Sequence, residues 1–325
     1  MSDLKTIDLE ITFDRSSLST FEWNQLLKKA PKANWMNTWP YAQAVQKRDF
    51  KRPQTIVIKD QNNVALGLFI LYEIKVFFVH IVEIHRGPIW FDSAVSQYGE
   101  TNLMMVFGKV FNKLYPKRLF TFRRWLPEIS ANIELEKSVK QIGYNSKPEH
   151  YETVWISLTQ TLDDIKKNMH PKWRSSLKNT TNSINLEVKF LEHAEDIYNF
   201  VWNYQTFKGR KIFVGLSPQF LLEEMNWALK LKSGLFMVVT ENKQMIAGIY
   251  VSLHGHTAAY RAGWNTELGR KHKCHYLLLW KAIEILKERG YTAFDLGGLI
   301  SDQTSINRFK MRTNGEHTKN MNMLS

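Results

Sequence analysis

The run Ala258–Glu316, AAYRAGWNTELGRKHKCHYLLLWKAIEILKERGYTAFDLGGLISDQTSINRFKMRTNGE, decides the fold. Ala258–Gly263 reads as a short strand of small and aromatic residues, and Gly269–Cys274 as a basic turn. His275–Arg289 has apolar positions at Leu278, Leu279, Ala282, Ile283, Ile285 and Leu286, the three- and four-residue steps of a helix pressed onto a sheet. Lys287 and Arg289 favour its negative end, and Gly290 supplies the stop. Tyr291–Leu296 is a second strand closed by Gly297-Gly298, and Ile306–Arg312 carries Arg308, Phe309 and Lys310. A strand, a basic turn opening a helix, and a strand ending in a glycine pair make an α/β site in which the helix start faces an anion.

Outward from this run the pattern is α/β throughout. Gln244–Leu253 and Leu235–Glu241 form a hairpin about Asn242-Lys243; Pro218–Lys232, Ala194–Lys208 and Thr161–His170 read as helices. Glu152–Leu158 and Leu186–Phe190 read as strands. In the first half, alternation marks Leu4–Phe13 as a strand, and Ser19 caps a helix reaching Lys29. Asn34–Lys47 reads as one helix with Pro40 in its first turn, and Gln97–Tyr115 as another. Thr55–Ile58 and Ala65–Tyr72 flank a turn at Asp60–Asn63, and Lys75–Ile84 continues the sheet. The two halves repeat one order of elements. The expectation is two related mixed-sheet units, 1–150 and 151–325, packed with a cleft between them.

Composition bounds the function. Hydrophobic residues make up 44% and charged residues 23% of 325, a globular balance. The net charge of +13 favours an anionic partner: RNA, a nucleotide-linked precursor or an acidic lipid surface. A single cysteine, Cys274, excludes an internal disulfide and fits a reducing compartment. The start MSDLKTIDLEI has no signal-peptide pattern, and charges interrupt Val64–Ile84, so a cytoplasmic location is expected. Oligomeric state is left open. Among motifs, P-loop, dinucleotide fingerprint, HExxH and nucleophile elbow are absent.

Several residues carry candidate chemistry. Lys310, in a basic segment past a sheet edge, can neutralise developing negative charge or hold a phosphate, with Phe309 packed beside the reacting groups; the alternative is a solvated lysine on a terminal strand. Arg210, in KGRK after an aromatic-rich helix, offers a fork suited to phosphate. Lys172, Arg174 and Lys178 form a basic patch, either an RNA contact or a solvated face over a buried Trp173. Arg270, Lys271 and Lys273 crowd the turn before the long helix, where glycines would otherwise let phosphate approach the backbone. His254 and His256 share a strand face without a third metal ligand, Cys274 lacks a nucleophile's partner, and Asp295 either acts as a base or orders the turn before Gly297.

Gly263-Trp264, Gly269-Arg270, Leu277–Ile283, Asp295–Gly298 and Arg308–Lys310 occur in an order that resembles the FemABX-like, BioF2-like branch of the GNAT acyltransferase superfamily. Lys172–Arg174, Arg210-Lys211 before Phe213, and Arg86–Pro88 extend the resemblance over most of the chain. It implies a tandem GNAT-like fold with a BioF2-like acetyltransferase unit at 151–325, and a transferase moving an aminoacyl group from aminoacyl-tRNA to an amine of a peptidoglycan precursor. It also implies Phe309 and Lys310 at the transfer site, Arg210, Tyr260 and Lys47 toward the acceptor, and Lys172, Arg174, Arg270, Lys271 and Lys273 toward the donor. No cofactor is expected beyond the donor. Partners would be tRNA, a nucleotide- or lipid-linked wall precursor and an anionic membrane surface. The loop GRKHKCH departs from the acetyl-CoA loop of GNAT enzymes by lacking its later small residues. An acyl-CoA-dependent N-acyltransferase of an envelope sugar, lipid or small amine stands as the alternative, and an RNA-binding module on a retired scaffold as a third reading.

Overall fold

The computed structural model describes residues 9–15, 17–181, 185–209, 215–300 and 304–325. In chain order the first elements are β1 (Ile11–Asp14), α1 (Thr20–Leu27), α2 (Trp39–Asp49), β2 (Arg52–Asp60), β3 (Ala65–Val76), β4 (Val79–Ile84), β5 (Ile89–Trp90), α3 (Asp92–Tyr98), α4 (Glu100–Leu114), β6 (Thr121–Trp125), α5 (Ile133–Gln141) and β7 (Ser146–Lys147). There follow β8 (Glu152–Ser157), α6 (Leu162–Asn168), α7 (Pro171–Thr181), β9 (Leu186–Phe190), α8 (Ala194–Gly209), α9 (Pro218–Lys230), β10 (Gly234–Glu241), β11 (Gln244–His254) and β12 (Thr257–Asn265). The last are α10 (Glu267–Lys271), α11 (Cys274–Glu288), β13 (Ala293–Asp295), α12 (Thr304–Met311), β14 (Glu316–Lys319) and β15 (Met323–Leu324).

Two mixed sheets result. One runs β1-β2-β3-β4-β6-β15-β7 with β5 on β3, and the other β14-β8-β13-β12-β11-β10-β9. Read from β1 and from β9, both begin with an antiparallel meander of four strands. Each then adds a parallel neighbour reached through helices: β6 beside β4, and β13 beside β12. The repeat inferred from element order is therefore present as strand order.

The units do not part at a single point near residue 150. One comprises 1–38, 49–151 and 319–325; the other comprises 39–48 and 152–318. Helix α2 belongs to the second because its ring Tyr41 meets Phe220 of α9 at 5.6 Å and Arg48 lies over the same ring at 4.8 Å. Strand β15 belongs to the first because Met323 and Leu324 complete the ladder between β7 and β6. A boundary read from sequence cannot see such exchanges, since pairing partners distant in the chain leave no local signal.

Local chemistry explains most element ends. Ser19 and Glu22 form a reciprocal capping box at α1. The expected single helix over 34–47 is a 3₁₀ turn, Trp35–Asn37, followed by α2, because Thr38 is extended at φ −99° and ψ 153°. The expected helix 97–115 breaks at Gly99, whose φ of +74° a side chain would resist. In the first unit Phe107 of α4 packs edge-on against Phe69 of β3 at 5.3 Å and meets Trp125 of β6 at 4.9 Å. In the second, Leu278, Leu279, Ala282, Ile283 and Leu286 of α11 are buried, as their spacing requires. Burying each such leucine or isoleucine is worth about 1.5–3 kcal/mol before entropy is counted.

Candidate functional site

The second unit's sheet opens between β12 and β13. They pair in parallel only over Thr257–Ala259 with Ala293–Asp295, while β12 runs on to Asn265. Two features cause the separation. Asp295, fully buried, accepts hydrogen bonds at Oδ1 from the Thr153 hydroxyl at 2.5 Å and from the Gly297 amide at 2.8 Å, which turns the chain out of the sheet. Gly297 then takes φ +77°, and a Cβ there would lie 2.6 Å from the Tyr260 carbonyl oxygen. Of the two roles open to Asp295, the structure assigns turn-ordering.

On the other side, β12 carries a bulge. Tyr250 faces Ala262 while Val251 faces Tyr260, so Arg261 is the extra residue. The bulge brings both Tyr260 and Arg261 to the wall of a cavity of about 620 Å³. Its lining also includes Gly297, Gly298, His275, Phe309 and Lys310. Gly263 lines it as well, and a side chain there would force the Tyr260 ring to shift.

Lys310 is 7% exposed, and its ammonium donates to the carbonyls of Gly297 at 3.0 Å and Gly298 at 2.9 Å. It lies 5.9 Å from the Tyr260 ring centroid. Burial lowers its pKa to about 8, with Asp295 pulling the other way. At neutral pH roughly nine-tenths of such a group is protonated, so a third N–H remains beyond the two given to carbonyls. The segment is the helix α12, not a terminal strand, and Lys310 sits near its end. Phe309 stands edge-on to Tyr276 at 4.9 Å and near parallel to the buried Trp173 at 6.2 Å. Phe309 and Tyr276 line the same cavity as Lys310.

His275, the second residue of α11, was not singled out by sequence. Burial pushes its pKa down to about 4, so the imidazole is neutral. Its Nε2 lies 3.1 Å from the Trp264 carbonyl, which can only accept, so Nε2 carries the proton. Arg261 also escaped the sequence reading. Its Nε and Nη2 donate to the two Glu224 oxygens, each at 2.8 Å, and both side chains are buried. This fork braces the cavity wall from α9. The signal available in sequence was the polar Arg in an apolar strand, which the spacing alone does not interpret.

The remaining candidates divide. Arg270 and Lys273 line the same cavity. Arg270 Nη1 donates to the Asn265 carbonyl at 3.2 Å, and Lys273, at φ +56°, opens α11 while its Nζ reaches Ser176 Oγ at 3.3 Å. Lys271 is exposed and is not among the lining residues. The predicted basic turn is partly helical, as α10, capped by the Thr266 side chain on the Gly269 amide. Arg174 lines a second cavity of about 730 Å³ with Lys178, Lys166 and Lys281. Lys172 is exposed on α7 and lines neither cavity; Lys47 is exposed on α2 and likewise lines neither. Arg210, Lys211 and Phe213 lie outside the described residues. His254 and His256 do not share a strand face: β11 ends at His254, and Gly255 at φ +55° turns the chain. Burial raises the Cys274 thiol to about 12, which leaves it packed and unreactive. Among the described residues no group of three metal-ligating side chains comes together, and no helix is long and apolar enough to cross a membrane.

Compared with known proteins, residues 168–311 match the family described as Acetyltransferase (GNAT) domain. The matched stretch lies within the second unit. The whole fold is similar to the crystal structure of FemX, at TM-score 0.77 and 12% identity over 97% of this chain and 96% of that one. It is also similar to the C-terminal domain of a putative lysylphosphatidylglycerol synthetase from Agrobacterium fabrum, at TM-score 0.55 and 12% identity over 94% and 92%. A tandem GNAT protein from the clavulanic acid biosynthesis pathway matches at TM-score 0.53 and 9% identity over 98% of each chain. Searched by sequence, the chain matches none of the curated proteins. The fold is thus a tandem GNAT fold of the FemX kind, and the GNAT domain carries the cavity with Lys310.

Proposed function

We propose that the protein transfers an aminoacyl group from aminoacyl-tRNA to an amine of a peptidoglycan precursor. The observation that carries this reading is one cavity holding the buried ammonium of Lys310 together with the side chains of Arg270 and Lys273. In the reaction the acceptor amine attacks the ester carbonyl, a C–N bond forms, and the ester C–O bond breaks. The third Lys310 N–H is available to the oxyanion of the tetrahedral intermediate, where a charged donor acts most strongly in a dry site. The amine proton passes to the leaving ribose hydroxyl. His275 at about 4, the Tyr260 phenol raised by burial, and Asp295 committed to its turn are poor bases at neutral pH, which favours transfer assisted by the substrate itself. Side chains at the mouth of α11 suit the phosphates of an RNA end better than the tight backbone cradle that pyrophosphate needs. FemX and the lysylphosphatidylglycerol synthetase domain share the fold, which supports an envelope-directed acceptor.

A second reading, acyl-CoA-dependent acylation of an envelope sugar, lipid or small amine, is favoured by the description of the matched domain as an acetyltransferase. One experiment separates them: thermal-shift titration with CoA and acetyl-CoA beside tRNA binding at two salt concentrations. Salt-sensitive tRNA binding without a CoA shift supports the first reading; a saturable CoA shift without tRNA binding overturns it.

A further inference from the structure

The first unit carries a surface that the proposed transfer does not use. At the turn between β3 and β4, Phe77 is 99% exposed and Phe78 71%. Beside it, the segment entering β6 exposes Leu119, Phe120 and Phe122, with Leu119 83% exposed. The two are joined: the His80 amide donates to the Phe120 carbonyl at 2.9 Å, and the Phe78 and Phe120 rings meet edge-on at 4.7 Å. Val76 extends the same apolar tip.

Two further observations mark the tip. Phe77 at φ +51° and Phe120 at φ +64° both hold the left-handed conformation that bulky side chains avoid. Phe77 holds it fully in water, so the chain spends stability on presenting that ring. The flanks are cationic. Lys113, Lys117 and Arg118 are exposed, and no acidic residue occurs in 74–82 or 113–122. The two carboxylates that bound the hairpin are engaged: Glu73 by Lys75 at 3.1 Å, His80 at 2.7 Å and Gln54 at 2.7 Å, and Glu83 by Lys51 at 2.6 Å and His85 at 3.1 Å.

We propose that this tip is a peripheral anchor for an anionic lipid bilayer. Exposed aromatic rings on a hairpin end enter the boundary between headgroups and acyl chains, while lysine and arginine around them meet lipid phosphates. The cores of protein interfaces, by contrast, are depleted in lysine. The proposal does not rest on the donor or acceptor of the transfer reaction, so either reading can fail without the other.

The test is co-sedimentation of the full chain with vesicles of phosphatidylcholine, with and without phosphatidylglycerol. Binding to the anionic vesicles that weakens with salt is expected. Phe77→Asn with Phe78→Ser is expected to lower the partition roughly tenfold or more, from the apolar area no longer buried. Lys113→Gln with Lys117→Gln and Arg118→Gln is expected to lower it roughly fivefold per charge removed. Thermal melts near that of the parent chain confirm that the variants fold. The anchor is overturned if the parent binds neither vesicle, if the phenylalanine pair can be removed without effect, or if sedimentation equilibrium without lipid shows a dimer that this pair of substitutions dissociates.

Discussion

The parallel pairs β4–β6 and β12–β13 hold the same place in two sheets of the same strand order, yet they end differently. In the first unit the ladder runs through His80–Ile84 with Thr121–Trp125 and stays zipped beyond it. The Leu126 amide donates to the Ile84 carbonyl, and the Gly87 amide to that of Leu126. Trp125 Nε1 then bonds the Gly87 carbonyl at 2.6 Å, while Arg86 forks onto Glu128 at 2.7 and 2.6 Å. In the second unit the ladder stops after three pairs, and the cavity with Lys310 begins where it stops. One sheet uses buried charge to close a seam; the other leaves the seam open and lines it with an ammonium. The topology permits a site, and the length of one ladder decides whether it exists.

That contrast can be broken at either end. Arg86→Ala leaves Glu128 facing the first unit's interior without its fork, and stability should fall by about 3–5 kcal/mol in urea titration. Its loss should leave the pH dependence of transfer unchanged, since Arg86 belongs to the closed seam. Lys310→Met should do the reverse: turnover with the donor of choice falls roughly 10²–10³-fold, as on loss of an oxyanion donor, with a melt near the parent's. If turnover survives Lys310→Met, the open seam is not the transfer site.

The pH profile sharpens the same point. With a folded pKa of about 8, the Lys310 ammonium is present below that pH and lost above it, so kcat/KM should fall about tenfold per pH unit on the alkaline side. Lys310→Arg should remove that limb. The stability linkage has the opposite sense. The unfolded lysine titrates near 10.4, so between about 8 and 10.4 the unfolded chain binds more protons and folding stability rises with pH across that window. Lys310→Met should flatten that rise in calorimetry. The smallest effect lies at the exposed β3–β4 tip: Phe77→Asn relieves the left-handed strain and should raise stability by about 1 kcal/mol in thermal melts, while vesicle binding is expected to drop.

Much of this was legible in order along the chain. The periodicity of His275–Arg289, the hairpin about Asn242-Lys243 and the Asp-Leu-Gly-Gly stop all describe contacts made within a few residues, and the structure has each of them. The two related mixed-sheet units were readable because the repeated order of elements constrains strand order, whereas the FemX-like character was read from the resemblance of the ordered motifs. The pairing of Phe309 with Lys310 was written in the sequence, but a solvated lysine stood open beside it, and only the tertiary structure shows Lys310 buried against the Gly297 and Gly298 carbonyls. Lys271, Lys172 and Lys47 were not separable from them, because charge alone does not say which side of a helix faces the cavity.

What the sequence determined by itself is therefore local: helix stripes, caps, turns, the basic balance of +13, and a basic loop before the long helix. Only the tertiary structure decided the rest. It assigned α2 to the second unit and β15 to the first, inserted the bulge that turns Arg261 toward Glu224, and buried Lys310 deeply enough to lower its pKa. It also set Phe78 against Phe120 at one exposed tip. Each of these depends on residues tens to hundreds of positions apart, and their meeting is fixed by where β-ladders start and stop rather than by any propensity written in one stretch of chain.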